Sequence, residues 1–377
     1  MRQMNPMDAF MYYLDSPRTP NVITFVNLHD QSTVPGGPLT FRDVLRGMQQ
    51  RLHLSRAFRE KIARVPLDLD HPYWVADPDF DLEFHVRHIA LPKPGDWRQL
   101  CILVARLASR QLDLSRPPWE MWIVEGLDDV QGVPPGGFAV VLRIHHSAID
   151  GVAGADMLTA ISSTSPDAPP PAPAADWRPE GAPSQLRRLR ANGELPADSL
   201  VALVPVSVRD DRKPDAVGNE IASMAVPLHT DVDDAVERLR RVHRSTQQSK
   251  ARKKAVGART LTEMAAAVPG GLMGLAFKAQ SGLAELARVQ MGPNTSVTNV
   301  PGPTVPLYFL GARMVASWGV APLSDGVGLF HIVSSYTGRL TLPFTSDRAM
   351  MADPAFYLEC MEKSFDELAA AARAHAG

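Results

Sequence analysis

Apolar positions along this chain recur with two periods, and the two alternate, which predicts strands and helices interleaved in both halves. "NVITFVNL" (21–28) and "WEMWIVEGL" (119–127) read as strands, "LTFRDVLRGMQQRLHL" (39–54) and "DWRQLCILVARLASRQL" (96–112) as helices. The run "GGFAVVLRI" (136–144) is continuously apolar and β-branched, the pattern of a central strand covered on both faces. Helical spacing returns in "VAGADMLTAIS" (152–162).

A Pro-rich stretch then intervenes, "TSPDAPPPAPAADWRPEGAPS" (164–184), which reads as a semi-rigid linker. It divides the chain into an N-terminal domain (1–163) and a C-terminal domain (185–377). The second half is predicted to hold a helix "SQLRRLRANG" and strands "LVALVPVSV" and "IASMAVPL". A long basic helix from about 233 to 254 and a Gly- and Ala-rich helical region from 261 to 290 come next. Strands "TSVTNV", "LYFLGARMVAS", "VGLFHIVSSY" and "RLTLPFTS" follow, and a closing amphipathic helix ends the chain. The mixture predicts an α/β or α+β fold in two layered domains.

Composition narrows the classes. At 377 residues, 45% hydrophobic and 21% charged, with a formal net charge of −2, the chain has the profile of a globular protein with no global pull toward nucleic acid. Cys101 and Cys360 fit no metal or redox spacing and are expected to be small apolar packing groups in a reducing cytoplasm. No signal peptide is expected, because "MRQMNPMDAFMYYLDSP" has no apolar run free of charge. The longest apolar stretch, "MAAAVPGGLMGLAF" (264–277), falls short of the roughly 20 residues that span a bilayer.

The densest chemistry lies where the central strand ends. "HHSAIDG" places His145 and His146 at the strand end, Asp150 four residues on, and Gly151 where a substrate needs room. The pattern HHxxxDG should arise by chance about once per thousand chains of this length. An imidazole acting as a base needs its ring held, which a buried neighbour can do. Two core histidines satisfied by a structural aspartate are the competing reading. A metal site is disfavoured, since no third ligand sits at suitable spacing. So is a serine hydrolase, since there is no GxSxG elbow. No phosphate-cradling GxxxxGK[ST] or GxGxxG loop is present.

The motif in its setting, "RIHHSAIDGVAGADML", resembles the signature of the CoA-dependent acyltransferase superfamily, which includes chloramphenicol acetyltransferase and peptide-synthetase condensation domains. More narrowly the chain resembles the bacterial wax ester synthase/acyl-CoA:diacylglycerol acyltransferase family, through "NPMDAFMYYLDSPRTPNVI", "LDLSRPPWEMWIVEGL", "ALVPVSVR", "GNEIASMAVPL" and "TNVPGPTVPLYFLGARM" in order.

The resemblance implies two chloramphenicol-acetyltransferase-like domains with the active site in the cleft between them. His146 would be the general base, His145 would shape the site, and Asp150 would be structural, paired with Arg209 or with Arg143. The oxyanion also needs a donor, for which Thr298 and Asn299, or backbone N–H groups near "TNVPGP", are the candidates; an ordinary Pro-Gly turn at 299–302 is the plainer reading. The implied reaction moves a long-chain acyl group from acyl-CoA, a substrate, to diacylglycerol or a long-chain alcohol, with no cofactor. The alternatives are a carrier-protein-dependent acyltransferase and a catalytically inactive lipid-binding or scaffold member.

Positive charge concentrated in "RLRRVHRSTQQSKARKK" (238–254) suits CoA phosphates or anionic headgroups; the expected location is cytoplasmic, with peripheral contact at the inner face of the plasma membrane or a lipid droplet as an option. A solvated helix face is the plainer reading, and nucleic acid is not expected. Relatives are expected to carry a longer segment with an Asn-Asp pair before "LVPVSVR"; here only about a dozen residues stand in that place and no Asn-Asp dipeptide occurs.

Overall fold

The computed structural model describes residues 2–64, 71–148, 153–172, 201–207, 221–229, 232, 234–256, 295–323, 327–347, 351 and 353–376. Up to the linker the order is β1 (Arg2–Gln3), α1 (Pro6–Tyr13), β2 (Val22–Asp30), α2 (Phe41–Gln49), β3 (Glu60–Ala63), β4 (Tyr73–Ala76), α3 (Leu82–His85), β5 (Val86–Ala90), α4 (Trp97–Ala108), β6 (Trp119–Glu125), β7 (Phe138–His145) and α5 (Ala153–Ile161). After it come β8 (Val201–Ser207), β9 (Ile221–Pro227), α6 (Ala235–Val256), β10 (Thr295–Val300), β11 (Tyr308–Phe309), β12 (Ala312–Val320), β13 (Leu329–Tyr336), β14 (Arg339–Thr341), β15 (Phe344–Ser346) and α7 (Pro354–Ala376). The expected helices at 184–193 and 261–290 lie outside the described residues.

Two six-stranded mixed sheets organise the molecule. The first runs β11-β12-β2-β7-β6-β5 and the second β14-β13-β10-β8-β9 with β15 on β13; a three-stranded sheet, β1-β4-β3, stands beside them. β7 is buried along its whole length, Arg143 included, as its predominantly apolar run predicts. Its two faces feed two cores. Phe138, Val140, Leu142 and Ile144 pack with Val44 and Met48 of α2 and Met157 and Ile161 of α5. Ala139 and Val141 pack with Leu100, Val104 and Leu107 of α4.

The helices start where their sequences provide caps. Asn5 accepts from the Asp8 N–H ahead of Pro6, while Thr40 with Asp43 and Asp96 with Gln99 form capping boxes.

The first sheet does not stop at the linker. β12, from the second half, pairs antiparallel with β2 from Asp30 to Thr24, so the C-terminal part of the chain supplies an outer hairpin to the N-terminal sheet. The stretch 307–317, expected as one strand, is that hairpin. It turns at Leu310 and Gly311, with φ of 50° and 89°, the double positive φ of a two-residue turn. Leu310 tolerates this conformation while lodged over Gly47 of α2, where a Cβ would overlap its Cδ2.

Contacts between the two large sheets run through β12 and β13. Tyr336 Oη donates to the Met314 carbonyl and accepts from the Leu307 N–H, both at 2.9 Å. Leu158 of α5 packs on this cluster, and Gly319 leaves room for Ile332, whose Cδ1 lies 3.0 Å from where a Cβ would be. Among the described residues no helix is long and apolar enough to cross a membrane.

Candidate active site

β7 delivers His145 as its last residue, and a single 3-10 turn, His146–Ala148, follows. The peptide N–H groups are held on both sides: that of His145 donates to the Pro118 carbonyl and that of His146 to the Asn21 carbonyl, each at 2.9 Å. The two side chains have opposite environments. His145 is fully buried, whereas His146 is only half-buried, so of the pair only His146 offers surface to a substrate.

Burial pushes the His145 imidazole down to about 3, with the neighbouring His146 adding to the effect, so this ring is neutral at physiological pH. Its tautomer follows from its contacts. The backbone N–H of the buried Ser147 donates to Nδ1 at 3.2 Å, and the Ser147 hydroxyl lies 2.8 Å from the same nitrogen. Nδ1 must therefore carry the lone pair, and the proton sits on Nε2. Nε2 faces Asp15 Oδ1 at 3.8 Å.

Asp15 reaches the turn from the segment that joins α1 to β2. Its Oδ1 accepts the Asn21 N–H at 2.7 Å and its Oδ2 the Gln111 side-chain amide at 2.5 Å. Asn21 in turn donates its side-chain amide to the Met11 carbonyl of α1 at 2.6 Å, and Tyr12 places its ring 6.4 Å from that of His145. The N-terminal segment, which the sequence marks only through its resemblance, thus clamps the histidine turn. A carboxylate directly after an apolar helix, in "FMYYLDSP", is the signal that could have singled out Asp15.

Among the described residues Arg143 has two partners for its guanidinium. It is 1% exposed, and it donates to Glu120 Oε2 at 2.7 Å and to the Arg110 carbonyl. Its guanidinium lies below the usual range because of burial, an effect that Glu120 opposes. Asp150, Gly151 and Arg209 lie outside the described residues.

Thr298 and Asn299 are consecutive on β10, in the second sheet, paired in parallel with Ile332 and Val333 of β13. Consecutive strand residues face opposite ways, so their two side chains cannot converge on one oxyanion. Gly302, two residues past β10, is a glycine for space: a Cβ there would overlap the Ser335 carbonyl oxygen.

On the basic helix α6, Arg241 and Arg244 are both paired with Glu237, at 3.0 and 2.9 Å, leaving Arg240 and His243 among its exposed cationic or titratable groups. Among the described residues no group of three or more His, Cys, Asp or Glu could hold a metal ion.

Known proteins share the sequence and fold of this chain. The wax ester synthase/diacylglycerol acyltransferase catalytic domain model matches residues 4–290, and the C-terminal domain model of the same family matches 217–369. A relative from Mycobacterium tuberculosis (strain CDC 1551 / Oshkosh), named as a putative diacylglycerol O-acyltransferase, is 28% identical over 478 residues, covering 100% of this chain and 98% of its own. The tgs1 protein of Mycobacterium tuberculosis (strain ATCC 25618 / H37Rv), named as a probable diacylglycerol O-acyltransferase, is 28% identical over 400 residues, 82% of this chain and 84% of its own. The alignment spans 478 positions against the 377 residues of this chain, so about a hundred of them are gaps on its side.

Among solved structures, the wax ester synthase/diacylglycerol acyltransferase from Marinobacter aquaeolei VT8 superposes with a TM-score of 0.67 at 24% identity, covering 97% of this chain and 98% of that one. The first condensation domain of the calcium-dependent antibiotic synthetase reaches 0.54 at 13% identity, over 93% and 91%. Both likenesses establish a shared fold.

Proposed function

Since the chain belongs to the wax ester synthase/diacylglycerol acyltransferase family, we propose that His146 is the general base of its acyl transfer. The activity that comes with the family is acyl-CoA-dependent O-acyl transfer, giving triacylglycerol or wax ester. The observation that carries the assignment is the contrast within the histidine pair: His145 is sealed and neutral, and His146 is only half-buried, with its backbone N–H held by Asn21.

In the proposed step His146 takes the hydroxyl proton of the diacylglycerol or alcohol as its oxygen attacks the thioester carbonyl. The tetrahedral intermediate then collapses, the C–S bond breaks, and the proton passes to the departing CoA thiolate. No acyl-enzyme and no cofactor is needed, and acyl-CoA is consumed as a substrate. General base catalysis of this kind supplies about 10²- to 10⁴-fold, and alignment of two bound substrates supplies much of the rest.

In this reading Asp150 pairs with Arg209 and is structural, Gly151 leaves space for substrate, and one of Thr298 and Asn299, or a backbone N–H beside them, faces the oxyanion. The site lies in the cleft between the two sheets. We further read α6, with Arg240 exposed, as a peripheral contact to anionic lipid; sedimentation with phosphatidylglycerol vesicles that is lost on raising salt supports this, and salt-independent or absent binding contradicts it.

The acyl-transfer reading is tested by CoA release from palmitoyl-CoA. Release that depends on dioleoylglycerol or hexadecanol, with the ester recovered, supports it; release that ignores both acceptors overturns it.

A further inference from the structure

The reaction needs a base, yet it leaves one buried carboxylate beside the histidine turn without a role. The Asp15 side chain is only 5% exposed and reaches both histidines by separate routes. One route is through the ring: His145 carries its proton on Nε2, because Ser147 donates to Nδ1, and Nε2 faces Asp15 Oδ1 at 3.8 Å. The other is through the backbone: Asp15 Oδ1 accepts the Asn21 N–H, and the Asn21 carbonyl accepts the His146 N–H.

A buried N–H requires an acceptor, and among the described residues His145 Nε2 has no hydrogen-bond partner. The carboxylate is the group it faces, and contacts of this kind are often long before substrate binds and tighten afterwards.

We propose that Asp15 is a positioning residue for the histidine turn: its carboxylate selects the Nε2–H tautomer of His145 and, through the Asn21 peptide, fixes the backbone from which His146 works. This deepens the assignment of His146 as base and rests on it. Asp15 touches no substrate; it acts by denying the turn its alternatives. With Nδ1 protonated instead, the ring would set its N–H against the Ser147 N–H and its lone pair toward the carboxylate, so ring and turn would both shift. Asparagine at position 15 keeps the acceptor for Asn21 but removes the charge, while glutamate keeps the charge and changes its reach.

The first test is the wild-type protein with ¹⁵N-labelled histidine, the His145 signals being assigned by their loss in His145→Gln. A protonated Nε2 with a bare Nδ1 is expected; a protonated Nδ1 overturns the proposal without any variant at position 15. The second test is kinetic. Asp15→Asn is expected to lower kcat about 10- to 100-fold, the scale of a small misplacement of a catalytic group. KM for palmitoyl-CoA should hold, the His145 signals should become a mixture of tautomers, and Asp15→Glu should recover part of kcat. Wild-type kcat in Asp15→Asn, alongside an inactive His146→Ala, overturns the proposal and leaves the base assignment standing. Full activity in His146→Ala would instead remove the base assignment itself, and the wild-type spectrum would still decide the tautomer.

Discussion

Arg143 and Glu120 stand opposite each other on β7 and β6, and the guanidinium donates to Glu120 Oε2 at 2.7 Å inside the first sheet. The Arg143 side chain is 2% exposed and that of Glu120 14%, so removing the carboxylate strands a buried cation. Glu120→Ala is expected to lower unfolding stability by about 3 kcal/mol. A fall in the urea midpoint with an unchanged denaturant slope would bear this out. A midpoint equal to wild type would mean that the pair is dispensable.

Gly302 makes a different kind of prediction, because its φ is ordinary and its constraint is purely spatial. A methyl group added to its Cα would overlap the Ser335 carbonyl oxygen, and the Gly302 N–H donates to Ser335 Oγ at 3.1 Å, so alanine must push the two segments apart. Gly302→Ala should cost about 1–3 kcal/mol, the usual penalty of overpacking. Gly338, with φ of +81° and open space around it, is a useful control: alanine there meets backbone strain but no clash. Equal midpoints for Gly302→Ala and wild type would contradict the close approach.

Stability should also fall on the acid side. Burial holds both His29 and His145 down to about 3, against 6.5 in the unfolded chain, so the unfolded state binds more protons as pH drops below 6.5. Their full contribution is present above pH 6.5 and is lost progressively between 6.5 and 3. By pH 5 each should have cost about 2 kcal/mol. His331, lowered by burial and placed 2.8 Å from the Tyr357 hydroxyl, acts in the same direction. Thermal melts between pH 7.5 and 5 should therefore decline steadily; a flat profile would mean that these rings are not neutral in the folded protein.

Much of this architecture can be read directly from the sequence. An apolar run of this length, interrupted only by Arg143 and rich in β-branched residues, fits a strand with both faces covered, and β7 is one; the HH turn sits at its end as expected. Capping residues and apolar period locate α2 and α4. What escapes is long-range. The β11–β12 hairpin hides inside one apolar run because its turn uses only Leu310 and Gly311. Nothing local states that β12 returns to pair with β2. Adjacency makes Thr298 and Asn299 look like one group of donors, whereas the two-residue period of a strand separates their side chains. Asp15 shows locally only as a carboxylate directly after an apolar helix; its importance comes from His145, 130 positions away in a contact that sequence period cannot encode.

His146, and not its buried neighbour, handles the proton in the proposed reaction. The most direct measurement is acceptor-dependent CoA release from palmitoyl-CoA by the wild-type protein and by His146→Ala, with folding checked by thermal melting. A loss of about 10²-fold or more in kcat is predicted for the variant, with its melting temperature preserved. Equal rates in the two proteins would contradict the assignment and place the base elsewhere.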